Sequence, residues 1–206
     1  MKYIFVAGAP GSKWSSVVKN IYYSESIDRS DYSDTRTYYH DATGQRELMH
    51  LGAYFDPGME FGPWFDRITE ATPAECEAEF DRPFSGSGVR IVKSHVFCHT
   101  IDFLKHNWPS CAVVCVLRDP DASLGWWVRC GEFGITYPDY NDYYKNLRHM
   151  AKCIDHQNQD LERACLTRSY TQVQNNWQLS RALGIELPPS GYYQDYAAAK
   201  IKVRVL

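Results

Sequence analysis

The sequence lacks several features that would place it at once in a common class of protein. Its 206 residues contain no apolar run long enough to span a bilayer. The short apolar stretch at residues 1–8 lacks the long hydrophobic region of a signal peptide. Lysine and arginine number 22 against 25 aspartates and glutamates, so the basic face of a general nucleic-acid binder is not expected. These absences predict a cytoplasmic protein with no membrane span and no nucleic-acid partner.

The seven cysteines include no C-x-x-C pair and no regular spacing. An odd number of irregularly spaced cysteines, several of them in apolar runs, is typical of reduced thiols in a protein core. The nearest approach to a metal site is the group of His95, Cys98 and His99. It matches none of the usual zinc spacings and has no second ligand pair downstream. We therefore predict no metal site.

Strands and helices alternate along the chain. Residues 2–7, 89–93 and 111–117 are β-rich, and runs that are apolar on both faces are typical of central parallel strands. The pattern predicts an α/β fold with a doubly wound, mainly parallel sheet flanked by helices, in a single domain of residues 1–206. The predicted helices are residues 13–23, 100–107, 121–130, 140–163 and 171–183.

Two other segments complete the predicted domain. Residues 200–206 alternate in a way that favours a late strand at an edge of the sheet. Residues 47–82 hold nine acidic and two basic side chains together with several aromatic ones, and they are predicted to form an irregular insertion. Such an insertion is either a lid or binding loop, or a solvated acidic cover.

A glycine- and serine-rich loop follows the first predicted strand, at residues 8–16 (GAPGSKWSS). Its glycines let backbone N–H groups approach an anion, and the following helix adds positive potential at its N-terminus. Lys13 adds a full charge, and Ser12 and Ser15 add hydroxyl donors. The loop is therefore suited to hold a phosphate. The alternative is an ordinary strand–turn–helix with a surface lysine.

The loop differs from that of P-loop kinases. A Walker A loop places a serine or threonine directly after its lysine, where the hydroxyl binds Mg²⁺. Trp14 occupies that position here. The strand at residues 111–117 is followed by Arg118, where a Walker B strand would lead to an acidic metal ligand. This pattern predicts nucleotide chemistry without a metal and disfavours a kinase.

The same loop resembles that of the PAPS-dependent sulfotransferases, which read P-[KR]-S-G-T-T and hold the 5′-phosphosulfate of the donor, 3′-phosphoadenosine 5′-phosphosulfate (PAPS). Pro10 and Ser12 match, and Ser15 takes the second threonine position. Gly11 stands where the family has its basic residue, and Lys13 stands where it has glycine. The resemblance implies a P-loop-like sulfotransferase architecture. It also implies that the donor is bound by Gly11, Ser12, Lys13, Trp14 and Ser15.

Two further segments resemble the same family. Residues 90–95 (RIVKSH) are similar to R-I-x-K-T-H, in which the histidine is the base and the lysine lies near the donor sulfate. This assigns those roles to His95 and Lys93. Residues 114–120 are similar to the strand that leads to R-[DN]-P, whose arginine, here Arg118, binds the donor 3′-phosphate. In that family a serine usually lies eight residues after this arginine, and Trp126 occupies that position here. We expect Ser123, one helical turn before Trp126, to take the place of the serine.

These matches cover residues 2–130. They predict an enzyme that moves a sulfuryl group from PAPS to a hydroxyl acceptor on a small molecule or glycan. The reaction leaves 3′,5′-ADP and needs no metal. His95, Lys13 and Lys93 are the predicted catalytic residues. Two alternatives stay open: a catalytically inactive nucleotide-binding protein of the same fold, and a divergent P-loop kinase.

Overall fold

A computed structural model describes residues 1–31, 37–40, 45–49, 51–57, 59, 61–130, 140–166, 170–188 and 199–205. Within those residues it contains eight strands, seven α-helices and a 3-10 helix. The strands are β1 (Tyr3–Gly8), β2 (Thr37–His40), β3 (Gln45–Met49), β4 (Ala53–Tyr54), β5 (Arg90–Lys93), β6 (Ala112–Leu117), β7 (Thr171–Val173) and β8 (Lys200–Val205). The α-helices are α1 (Trp14–Tyr22), α2 (Pro73–Asp81), α3 (Phe97–Asn107), α4 (Pro120–Arg129), α5 (Tyr140–Tyr144), α6 (Leu147–Leu166) and α7 (Asn176–Leu183). The 3-10 helix is Phe65–Glu70.

Six of the strands form one mixed sheet in the order β4-β5-β1-β6-β8-β7. The four strands from β4 to β6 are parallel neighbours. β8 runs antiparallel to β6, and β7 runs antiparallel to β8. The protein is thus an α/β protein, but its sheet is mixed. The predicted edge position of β8 is wrong, because β7 covers its outer side.

Helices cover both faces of this sheet, because the buried strand residues alternate between two apolar clusters. Ile4 and Val114 face one cluster, which α1 and α7 complete. Phe5 and Val113 face the other, which α2 and α3 complete. All six residues of β1 are buried. The carboxyl ends of the parallel strands therefore form one rigid edge, where ligands bind in open α/β sheets.

Two predicted helices differ from the observed elements. The helix predicted at residues 171–183 begins with the strand β7, and α7 starts only after Asn175, whose side chain accepts a hydrogen bond from the Gln178 N–H. The helix ends at Leu183, as predicted, and Gly184 follows it in the left-handed conformation. The helix predicted at residues 140–163 is divided into α5 and α6, with Lys145 between them at φ 62°.

The segment at residues 47–82 is more regular than its composition predicts. β4 joins the edge of the main sheet, and α2 begins with a capping box in which Thr72 and Glu75 bond each other's backbone N–H. Pro73 at the first helical position favours the same start. The segment thus contributes a strand to the sheet and a helix to the core.

Candidate functional site

The β1–α1 loop (residues 9–13) makes a tight turn at the carboxyl end of β1. Gly11 has φ 76°, and the N–H of Ser12 bonds the Ala9 carbonyl oxygen at 3.0 Å. Lys13 precedes α1 in the left-handed conformation, with φ 67°. A Cβ on Gly11 would lie 2.0 Å from the carbonyl oxygen of Ser123, so only glycine lets the loop pack this closely on α4.

Arg118 joins this loop to the end of β6. Its Nη1–H donates to the carbonyl oxygen of Gly11 at 2.9 Å. The next residue, Asp119, caps α4 by accepting from the Ala122 N–H at 2.9 Å. The structure therefore brings together the loop and the arginine that the sequence assigned to two phosphates of one ligand. Arg118 is only partly buried.

Ser12 and Ser123 are fully buried on this loop and on the first turn of α4. Neither hydroxyl has a hydrogen-bond partner among the described residues. A buried hydroxyl that remains unsatisfied costs about 1–3 kcal/mol. Such groups are often satisfied by a ligand or an ordered water, which makes both serines candidates for ligand contact. Ser15, in the first turn of α1, is also buried.

His95 lies just beyond the end of β5 and is only 4% exposed. Its ring stacks on Trp14, with centroids 4.0 Å apart, and meets Tyr54 edge-on. Its Nδ1–H donates to the carbonyl oxygen of Gly8. Burial and, to a smaller extent, the charge of Lys93 lower the pKa of His95 to about 3, although the hydrogen bond to Gly8 opposes the fall. The imidazole is therefore neutral at physiological pH, with Nε2 carrying the lone pair.

Asp56 is the residue of this site that sequence reasoning missed. It is fully buried, and its Oδ1 accepts from the Ser94 hydroxyl at 2.8 Å and from the His95 N–H at 3.1 Å. Its Oδ2 lies 3.3 Å from the Tyr54 hydroxyl and 3.9 Å from Nε2 of His95. Burial raises the pKa of this carboxyl to about 7, although these hydrogen bonds oppose the rise.

Lys93 is also fully buried, at the end of β5. Its Nζ lies 5.3 Å from the ring centroid of Tyr54 and 5.8 Å from that of Trp14, so both rings contact the cation. Lys93 and His95, two of the predicted catalytic residues, thus share one aromatic enclosure with Asp56 at the end of β5. Trp14, which the resemblance assigned to donor binding, has its side chain buried in this enclosure.

A cleft of about 580 Å³ opens beside Arg118, between the end of β6 and α6. Its wall includes Leu117, Arg118, Asp119, Asn158 and Lys200. Asn158 is 7% exposed, and its Oδ1 has no partner within the described parts of the chain. A ligand bound to Arg118 therefore has room to extend over the edge of the sheet.

No protein-family model, no curated protein and no solved structure matches the chain. In the parts of the chain that the structure describes, no helix is both long and apolar enough to cross a bilayer. The described residues also contain no group of three or more His, Cys, Asp or Glu side chains placed to share a metal ion.

Proposed function

We propose that the protein is a PAPS-dependent sulfotransferase, with the donor bound between the β1–α1 loop and Arg118. The hydrogen bond from Arg118 to Gly11 carries this proposal, because it joins the two segments that resemble the donor-binding motifs of that family. The unsatisfied hydroxyls of Ser12 and Ser123 lie on the same two segments and support a ligand there. The architecture proposed is the P-loop-like one of those enzymes.

In the proposed reaction, an acceptor hydroxyl oxygen attacks the sulfur of PAPS. A new O–S bond forms, the bond between sulfur and the 5′-phosphate oxygen breaks, and 3′,5′-ADP leaves. Such a transfer depends chiefly on positioning and on charge stabilisation, as phosphoryl transfer does. Lys13 supplies positive charge at the loop, and Arg118 holds the 3′-phosphate. The acceptor's proton passes to Nε2 of His95, which faces Asp56 at 3.9 Å.

A second candidate function is nucleotide binding without transfer. The burial of His95 favours it, because the ring is 4% exposed and is packed between Trp14 and Tyr54. A base must come within hydrogen-bond reach of the hydroxyl that it deprotonates. In this alternative, His95 and Asp56 only hold the loop in place. A divergent kinase is a third candidate, and the presence of Trp14 after Lys13 disfavours it.

Thermal unfolding with different nucleotides separates the three functions. At about 100 times its Kd, a ligand stabilises the folded state by about 2.7 kcal/mol. We expect 3′,5′-ADP in EDTA to raise the melting temperature and ATP with Mg²⁺ to leave it unchanged. The reverse result would assign the protein to the kinases. If 3′,5′-ADP stabilises the protein, transfer of labelled sulfate from PAPS to a panel of phenols, sugars and alcohols separates the enzyme from the inactive binder.

A further inference from the structure

Three cationic side chains surround one tryptophan ring next to the β1–α1 loop. Nζ of Lys13 lies 4.4 Å from the ring centroid of Trp126. The guanidinium carbons of Arg118 and Arg129 lie 5.7 Å and 5.9 Å from the same centroid. Cations within about 6 Å of an indole ring are attracted to its face. Trp126 therefore gathers cations from the loop, from the end of β6 and from the last turn of α4.

The influence of these three charges reaches the residue that follows α4. Burial raises the pKa of the Cys130 thiol to about 11, although the charges of Arg129, Lys13 and Arg118 oppose the rise.

We propose that Trp126, Lys13, Arg118 and Arg129 form one binding cluster for an anion that carries two or more phosphate or sulfate groups. The buried hydroxyls of Ser12 and Ser123 have no partner among the described residues. Ser12 lies next to Lys13 in the β1–α1 loop, and Ser123 lies in α4, one turn before Trp126. This inference rests on the proposed function and adds Arg129 and Trp126 to the donor site.

The cluster also gives a physical role to the position at which the chain departs from the sulfotransferase motif. A serine there would give the ligand one hydroxyl, whereas Trp126 gives it none directly. Instead, the ring fixes the directions of the side chains of Arg118 and Arg129 before the ligand arrives. Pre-organised charges lose less entropy on binding than freely rotating ones. Trp126 is therefore a positioning residue for the anion, and Arg129 is a binding residue.

Calorimetric titration with 3′,5′-ADP in EDTA tests the role of Arg129. Arg181 is a matched control, because its guanidinium lies 4.8 Å from the ring centroid of Trp177 on α7. We expect Arg129→Ala to weaken binding at least about tenfold, the usual effect of losing a charged hydrogen bond. Arg181→Ala should leave the Kd within about twofold of the wild-type value. Equal affinities of the two variants would overturn the assignment of Arg129.

Two variants of Trp126 test the role of the ring. Trp126→Phe keeps an aromatic face, whereas Trp126→Leu keeps apolar volume without one. We expect the Phe variant to bind 3′,5′-ADP nearly as well as the wild type, and the Leu variant to bind about tenfold more weakly at an unchanged melting temperature. Equal binding by both variants would remove the ring from the cluster. If the Leu variant does not fold, the Arg129 comparison still decides.

The proposed function and this inference can fail separately. If the wild type binds 3′,5′-ADP but Arg129→Ala binds it equally well, the donor site stands and the cluster does not. If the wild type does not bind 3′,5′-ADP, the same variants are titrated with inorganic pyrophosphate. Binding that Arg129→Ala weakens would retain the cluster without its nucleotide. No binding of pyrophosphate by the wild type would overturn the cluster as well.

Discussion

The imidazole of His95 and the carbonyl group of Gly8 are joined by a hydrogen bond that ties the end of β5 to the start of the β1–α1 loop. This bond fixes the tautomer of His95, because Nδ1 must carry the proton that it donates. Nε2 then faces Oδ2 of Asp56, 3.9 Å away. The protonation state of this buried pair is therefore coupled to the position of the loop.

The first prediction concerns how the free energy of unfolding depends on pH. In the folded protein the pKa of Asp56 is raised to about 7 and that of His95 is lowered to about 3, against ordinary values of 3.8 and 6.5. Between roughly pH 4 and 6.5, the pair therefore holds one proton in both the folded and the unfolded state. The two linkage effects nearly cancel in the wild type.

Removing either partner exposes the effect of the other. With Asp56→Asn, only His95 remains, and the unfolded state binds more protons between about pH 3 and 6.5, so stability rises with pH. With His95→Gln, only Asp56 remains, and the folded state binds more protons between about pH 4 and 7, so stability falls as pH rises. Urea denaturation at several pH values measures both slopes. Slopes of the same sign would show that the two groups do not titrate as described.

The second prediction concerns the effect of His95→Asn on folding. The sequence predicts that this variant folds normally. It also predicts that the activity of the wild type falls at acidic pH, as His95 becomes protonated near the ordinary pKa of histidine, about 6.5. The structure predicts a loss of about 1–3 kcal/mol, because the stacked ring and its bond to Gly8 are buried. Because the pKa of His95 is about 3, the structure also predicts that a fall in activity near pH 6.5 does not arise from His95. The matched control is His106→Asn, an exposed position on α3, and equal stability of the two variants would contradict this account.

The third prediction concerns the contact between the loop and α4. Gly11→Ala places a Cβ 2.0 Å from the Ser123 carbonyl oxygen, at a residue with positive φ. Because of this clash and strain, we expect the variant to be less stable than the wild type by about 3 kcal/mol. Gly125→Ala, in the same helix, meets no described atom within 4 Å and should stabilise it by about 0.5–1 kcal/mol. Chemical denaturation of both variants gives the comparison. A Gly11→Ala variant as stable as the wild type would mean that the loop does not pack on α4.

The fourth prediction separates the backbone of Lys13 from its charge. Lys13→Ala and Lys13→Gly both remove the ammonium group, but only glycine adopts φ 67° without cost. The Gly variant should therefore be more stable than the Ala variant by about 1 kcal/mol. Both variants should lower the rate of sulfuryl transfer more than the affinity for 3′,5′-ADP, because this product lacks the sulfate. Equal losses of rate and affinity would reduce Lys13 to a phosphate anchor.

The central strands could be predicted from the sequence because their apolar runs are continuous. β1, β5 and β6 begin within one residue of their predicted starts, and β1 alone ends one residue later than predicted. The meeting of Arg118 with the β1–α1 loop was also predictable. Both segments follow parallel strands, and the carboxyl ends of such strands lie on one edge.

The remaining features depend on contacts between distant parts of the chain. β7 is three residues long and adjoins a helical pattern, and only its pairing with β8 makes Thr171–Val173 a strand. Asp56 is one of nine acids in residues 47–82, and only the pairing of β4 with β5 brings it to His95. The burial of His95 likewise depends on Trp14 and Tyr54, which come from two other elements.

The fifth prediction tests the central claim, that the β1–α1 loop and Arg118 together bind a nucleotide with phosphates at both its 3′ and 5′ positions. The measurement is the Kd of the wild type and of Arg118→Ala for 3′,5′-ADP and for 5′-AMP, by calorimetry in EDTA. We expect the wild type to bind 3′,5′-ADP at least about tenfold more tightly than 5′-AMP, and Arg118→Ala to abolish that difference at a loss of about 1.5–3 kcal/mol. Equal wild-type affinities for the two nucleotides, or no binding of either, would contradict the claim.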